Sequence, residues 1–245
     1  LAADGVDATL APLRDKGLAV CQVGAMMFNV LSTDADAQAR RAESLRAAIP
    51  RAAETGCPYL VINGGNYHPS GYAAGDARNF TDDALDKVAD GLKPYLDLAA
   101  QHGVKISIEA YLKTAVGSAE AFLRLKEKVG GGDTLRCNID VTSLYDYADL
   151  WNPAAKVEHI CTTLAGHYGL GHIKEVKLDT GFHIHATLAP LGEGPTDWAQ
   201  VLKFMAPHMP EDSWLILEHV QSADEARASV ALLRNAADQA GVNLA

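Results

Sequence analysis

The chain has 245 residues, 48% of them hydrophobic and 21% charged, an ordinary globular balance that excludes a disordered tail and a collagenous repeat. No apolar run approaches the roughly 18 to 20 residues of a membrane span. The 31 acidic against 21 basic side chains give a net charge of −10. Enzymes of nucleic acid more often carry a basic footprint, because neutralising phosphates supplies most of their affinity. The balance favours a neutral or metal-chelated small substrate, with no nucleic acid and no membrane as partner.

In chain order, residues 1–17 lack a positive segment followed by an apolar one. They are read as the middle of a helix and not as a signal peptide. Six β-type runs follow: 18–23 (LAVCQV), 59–63 (YLVIN), 104–109 (VKISIE), 135–140 (LRCNID), 171–178 (GHIKEVKL) and 214–218 (WLILE). Near-continuous apolar runs of this length suit parallel strands covered on both faces. Helical patterns lie between them at 36–55, 82–102, 120–129, 153–167, 196–205 and 223–240. In the first of these Leu45, Ala48, Ile49 and Ala52 carry the apolar spacing; in the second, Leu85, Val88, Leu92 and Leu96 do. Ser118 and Ser222 stand where helix caps belong, and Gly56, Gly103 and Gly241 where helices stop.

Strands recur every 30 to 46 residues or so, the spacing of βα units that join parallel strands by crossovers. No linker or low-complexity segment interrupts the alternation, so residues 1–245 are read as one α/β domain. An eight-stranded barrel would need two more strands before Leu1, and the expectation is a (β/α)8 TIM barrel whose first one or two strands are missing. The polar stretch 66–80 (NYHPSGYAAGDARNF) follows a strand and is a candidate lid or substrate wall. Four scattered cysteines, Cys21, Cys57, Cys137 and Cys161, form no metal or disulfide framework and are read as small hydrophobes in a reducing, cytoplasmic setting.

In α/β barrels the chemistry sits at the C-terminal ends of strands. Four runs carry a metal-capable side chain there or within: Glu109, Asp140, His172 and Glu218. A lone buried carboxylate is costly, and a divalent cation explains three carboxylates and an imidazole together more economically than four separate partners do. The oxygen-rich set favours Mn²⁺, with Mg²⁺, Co²⁺ or Zn²⁺ as alternatives.

These residues resemble the xylose-isomerase-like TIM barrels, which include sugar isomerases, ketose 3-epimerases, inosose dehydratases and endonuclease IV. HIKE at 172–175 is similar to the H-x-K-[DE] strand of that superfamily, and PLGEGPTDW at 190–198 to its LGEG-x-x-DW segment. SIEA with Glu109, CNIDVTS with Asp140 and LILEHV with Glu218 match its other acidic strands, in order from about residue 18 to the end. One departure is informative. Members with a second histidine three residues after the aspartate have Ser143 here, which places the endonuclease reading last.

The resemblance implies proton transfer at a carbon next to a carbonyl, through an enediolate, on a non-phosphorylated sugar or keto-polyol. It implies Glu109 and Glu218 as ligands that also act as acid and base, with Asp140 and His172 as ligands only. Lys174 should project to the same side of its strand as His172 and contact substrate or neutralise a carboxylate. Glu193 in the LGEG turn is a candidate for fixing a ligand or a hydroxyl. His183 and His185 in FHIHATL are candidate substrate contacts, as are Asn63, Asn66 and His68 after YLVIN. Gly64 and Gly65 would permit close backbone approach.

The alternative enzyme is a metal-dependent lyase that uses the same base for β-elimination from a 3-keto-glycoside or dehydration of a keto-inositol, with His183 or His185 as acid. Partners would be the sugar or glycoside and either a homo-oligomer or a second subunit. A sugar-binding scaffold with a vestigial site is the competing class. The chain has no P-loop, G-x-G-x-x-G or G-x-S-x-G motif, so nucleotide, dinucleotide and serine-esterase chemistry lack local support.

Overall fold

The structure is a computed structural model that describes residues 5–71 and 74–244. The chain divides into two compact units, Leu1–Asn138 and Ile139–Ala245.

The first unit opens with helix α1 (Val6–Arg14) and then alternates β1 (Val23–Gly24), α2 (Ala35–Thr55), β2 (Tyr59–Asn63), α3 (Asp82–Gln101), β3 (Lys105–Glu109), α4 (Ala119–Lys128) and β4 (Leu135–Ile139), whose last residue begins the second unit. Each strand pairs with the next in parallel: Val23 opposite Leu60, Tyr59 opposite Lys105, Ile106 opposite Leu135. All five residues of β2 are buried, as expected for a parallel strand covered on both faces. On α3 the predicted positions Leu85, Val88, Leu92 and Leu96 all face the core. On α2, Leu45, Ile49 and Ala52 do, and Ala48 is half-buried.

The run 18–23 is the one that falls short: only Val23 and Gly24 pair as strand. Leu18 is largely exposed, so apolar composition there does not translate into a buried ladder.

Helix caps follow the side chains. Ser118 accepts a hydrogen bond from the Ala121 N–H at 3.1 Å and starts α4. A Ser118→Ala variant is expected to lose about 1 kcal/mol of stability in a denaturant titration, because an N–H of the first turn loses its partner; an unchanged midpoint would refute the cap's contribution.

The second unit contains α5 (Ala154–Thr163), β5 (Tyr168–Ile173), β6 (Glu175–Leu178), β7 (Ala186–Ala189), α6 (Trp198–Met205), β8 (Leu215–Leu217) and α7 (Ala223–Ala240). β5 and β8 are parallel, with His172 opposite Ile216. The single run predicted at 171–178 is two strands that break at Lys174. The second of them turns back as an antiparallel hairpin with β7, Glu175 opposite Ala189 and Leu178 opposite Ala186. Hairpin β6–β7 projects Phe182 almost fully into solvent.

Cys57, Cys137 and Cys161 are buried, Cys21 is half-buried, and all four are free thiols. Burial pushes the Cys161 thiol up to about 11, as it does for inert core cysteines. Among the described residues no helix is long and apolar enough to cross a membrane.

Candidate metal centre

Three of the four predicted ligands meet in the second unit. Asp140 follows directly on β4, His172 is the fifth residue of β5, and Glu218 follows directly on β8. Each offers a ligand atom within 4.8 Å of the others. His172 and Asp140 are only 2% exposed, and Glu218 is half-buried. The parallel pairing of β5 with β8 explains the His172–Glu218 meeting: the Glu218 N–H donates to the Ile173 carbonyl at 3.0 Å, so the two strands end in step. His172 Nδ1 then lies 3.0 Å from Glu218 Oε1.

Lys174 stands at the break between β5 and β6, and its Nζ reaches both carboxylates. It pairs with Asp140 Oδ2, and lies 3.3 Å from Glu218 Oε2. The Lys174 ammonium thus stands between the two acidic ligands and offsets their charge, as a divalent cation held by the same carboxylates would. The donor set fits such an ion: two carboxylates and one imidazole are borderline-hard ligands suited to Mn²⁺, Mg²⁺, Co²⁺ or Zn²⁺. Burial works to raise the Glu218 carboxyl, but the hydrogen bond and charge of His172 and the Lys174 ammonium outweigh it, and the net displacement is downward. Glu218 is held as the anion.

Asp140 is fixed by its own turn. Thr142 Oγ1 donates to Oδ1 at 2.8 Å, the Ser143 N–H to Oδ1 at 3.2 Å, and Ser143 Oγ to Oδ2 at 2.9 Å. Ser143, noted in the sequence only as a departure, is therefore an orienting partner of a ligand. Supporting hydrogen bonds of this kind aim a ligating carboxylate.

A residue that the sequence left unassigned organises the segment beyond the lysine. Glu175 is 1% exposed. Its Oε1 accepts from Thr196 Oγ1 at 2.8 Å and the Val176 N–H at 3.1 Å, and its Oε2 from Trp198 Nε1 at 3.1 Å. Thr196 also meets the Tyr145 hydroxyl at 3.2 Å. Gly194 passes so close that a Cβ would run into the Val176 carbonyl oxygen and the Glu175 carboxylate. The HIKE and LGEGPTDW motifs are thus one structural assembly, tied by the acid of the first and the glycine, threonine and tryptophan of the second.

The other predicted contacts are placed as follows. Glu193 pairs with Lys177 on β6 at 2.9 Å. His185 Nδ1 lies 2.8 Å from Asp179 Oδ2 at the hairpin end, and His183 stacks edge-on against exposed Phe182.

In the first unit, Glu109 is the buried last residue of β3, in register with Asn138. The Asn63 amide donates to the Met26 and Phe28 carbonyls, and its Oδ1 accepts from the Gly65 N–H at 2.8 Å. Asn66 donates to the Ala74 and Lys113 carbonyls and accepts from Asn79 Nδ2 and the His68 N–H. These amides tie residues 66–68 to Ala74, Asn79 and Lys113; residues 72 and 73 of the predicted stretch 66–80 lie outside the described residues. His68 Nδ1 accepts from the Ser70 N–H at 3.1 Å. Gly64 does permit close approach, and its neighbour is the chain itself: a Cβ would lie 2.5 Å from Thr114 Oγ1.

Alternating parallel strands and helices, with a His–carboxylate group where strands end, define an α/β-barrel protein with a site for a divalent cation. The chain belongs to the xylose isomerase-like TIM barrel family, whose model matches residues 1–236. Among solved structures it is similar to a xylose isomerase-like TIM barrel protein from Mycobacterium smegmatis in complex with magnesium, at 14% identity and a TM-score of 0.72 over 98% of this chain and 80% of that one. It is similar to an L-ribulose 3-epimerase at 19% identity and 0.69, over 96% and 82% of the two chains. A probable 3-DHS dehydratase from Bacillus anthracis matches at 16% identity and 0.67, over 94% and 81%. At these identities the likeness is one of fold. A comparison with curated proteins gives no match.

Proposed function

We propose that the protein is a divalent-metal-dependent sugar isomerase or epimerase that moves a proton at a carbon next to a carbonyl of a free ketose or keto-polyol. The observation that carries this reading is the group of Asp140, His172 and Glu218 within 4.8 Å of one another, with its oxygen-rich donor set. Glu109 is assigned as fourth ligand. The sequence pattern supports it: Glu109 closes an apolar strand run as Asp140 and Glu218 do. A bound cation supplies Lewis-acid polarisation of a carbonyl and the hydroxyl beside it, and a template for both.

The chain's own residues do the rest. Glu218, kept ionised by His172 and Lys174, carries no proton at neutral pH and is assigned to take the carbon-bound one. Glu109 returns one. Asp140, oriented by Thr142 and Ser143, serves as ligand only, as does His172. The Lys174 ammonium is within reach of substrate oxygen at the same carboxylates. A family relation to an epimerase fold is consistent with this chemistry and does not by itself assign it.

Removal of the ion is the direct test. The EDTA-treated protein is expected to exchange no carbon-bound hydrogen of a ketose for deuterium in D₂O, and to recover exchange with Mn²⁺. Mn²⁺ at about a hundred times its dissociation constant should also raise the stability by about 2.7 kcal/mol through mass action. A melting temperature that ignores both reagents would refute the metal site.

A second reading, a lyase with the same base, is favoured by one observation. The Asp179 carboxylate beside His185 Nδ1 would orient that imidazole as an acid for a departing group. Release of aglycone or water from a 3-keto substrate, without deuterium in recovered substrate, would select it.

A further inference from the structure

Among the described residues His219 is the one non-glycine with a positive φ, 57°. Side chains with a Cβ adopt that region at a cost, and a residue held there against its preference is explained by what its position achieves. The turn that holds it is fastened from the far side. Gln221 Nε2 donates to the His219 carbonyl at 2.9 Å, the Gln221 N–H donates to Glu225 Oε2 at 2.9 Å, and Ser222 accepts from the Glu225 N–H at 3.1 Å as α7 begins. This reciprocal cap fixes the backbone directly after Glu218.

The imidazole does not serve the core, for it is about half exposed (51%). Nor does it orient the ligand. Its Nε2 lies 4.0 Å from Glu218 Oε2, beyond a hydrogen bond; His172 and Lys174 hold that carboxylate instead. A half-exposed ring set beside the Asp140–His172–Glu218 group, on a left-handed backbone, is positioned for a third party.

We infer that His219 is a substrate-contacting residue, whose imidazole hydrogen-bonds a hydroxyl of a polyhydroxylated substrate lying against Glu218. This rests on the sugar-directed reading above and extends it to a specific recognition residue.

The test compares the wild type with His219→Gly and His219→Asn in four measurements: melting of the metal-free chain, Mn²⁺ titration, calorimetric binding of free ketoses led by D-fructose to the Mn²⁺-loaded chain, and deuterium exchange. Glycine accepts the left-handed conformation without steric strain, which outweighs its added backbone entropy in the unfolded chain, so His219→Gly is expected to melt about 2 to 4 °C higher. Mn²⁺ affinity should stay within about twofold and ketose affinity should fall about tenfold, the size of one lost hydrogen bond. Asparagine tolerates the same backbone and keeps a polar head, so His219→Asn should recover part of the ketose affinity. Ketose binding that His219→Gly leaves unchanged overturns the assignment of His219, and so does a melting temperature below that of the wild type. A wild-type chain that binds Mn²⁺ and no ketose counts against the sugar-directed reading itself, which separates the two failures.

Discussion

Glu218→Gln is expected to lose deuterium exchange by about 10²- to 10⁴-fold, the range of a general base, while the chain stays folded. The amide keeps the shape of the carboxyl and can still meet His172. It can neither hold a proton taken from carbon nor present an anion to a cation, so Mn²⁺ binding should weaken alongside. Lys174 keeps Asp140 as partner, which limits the structural cost. A circular-dichroism melt and an exchange assay on the same preparation decide the matter: a variant with wild-type exchange would remove Glu218 from the chemistry, whatever its affinity for the ion.

The second large effect is on stability. Glu175→Ala is expected to cost about 3 to 5 kcal/mol, measured by denaturant titration, because it leaves buried donors on Thr196, Trp198 and Val176 without their shared acceptor. The pH dependence carries a sign. Burial raises the Glu175 carboxyl, only partly countered by the hydrogen bonds from Thr196 and Trp198. A folded-state value above the unfolded one means that the stabilisation is complete below the unfolded pKa and falls away as pH rises through the folded one. The gap between wild type and Glu175→Ala should therefore be wider near pH 4.5 than at pH 7. A gap that narrows on acidification would show that the ionised form is the one the fold prefers.

Apolar runs are enough to locate β2, β3, β4 and β8, and the metal-capable side chains picked from the runs include Asp140, His172 and Glu218, which meet. Both signals are local, and burial of a parallel strand writes itself into every residue of YLVIN or KISIE. What escaped was of another kind. The break at Lys174 is invisible in GHIKEVKL, since a strand that leaves its sheet to form a hairpin keeps the same alternation on either side. Glu175 is only the last position of HIKE in the sequence; its partners Thr196 and Trp198 lie some twenty residues away, and no spacing rule announces a hydrogen bond across that distance. Asn63 and Asn66 have the chemistry of sugar contacts, and the same chemistry satisfies backbone carbonyls, so residue type alone does not separate the two uses. His219 carries no signal either, because left-handed backbone is suggested by glycine or asparagine and here is imposed by the cap at Gln221–Glu225.

The lysine lodged between Asp140 and Glu218 bears on how the protein comes to hold its ion. With an internal ammonium already offsetting two strand-end anions, the polypeptide can mature before any mineral arrives. Scarcity of the ion would then leave an intact, idle reserve of protein awaiting loading, instead of unfolded chains destined for degradation.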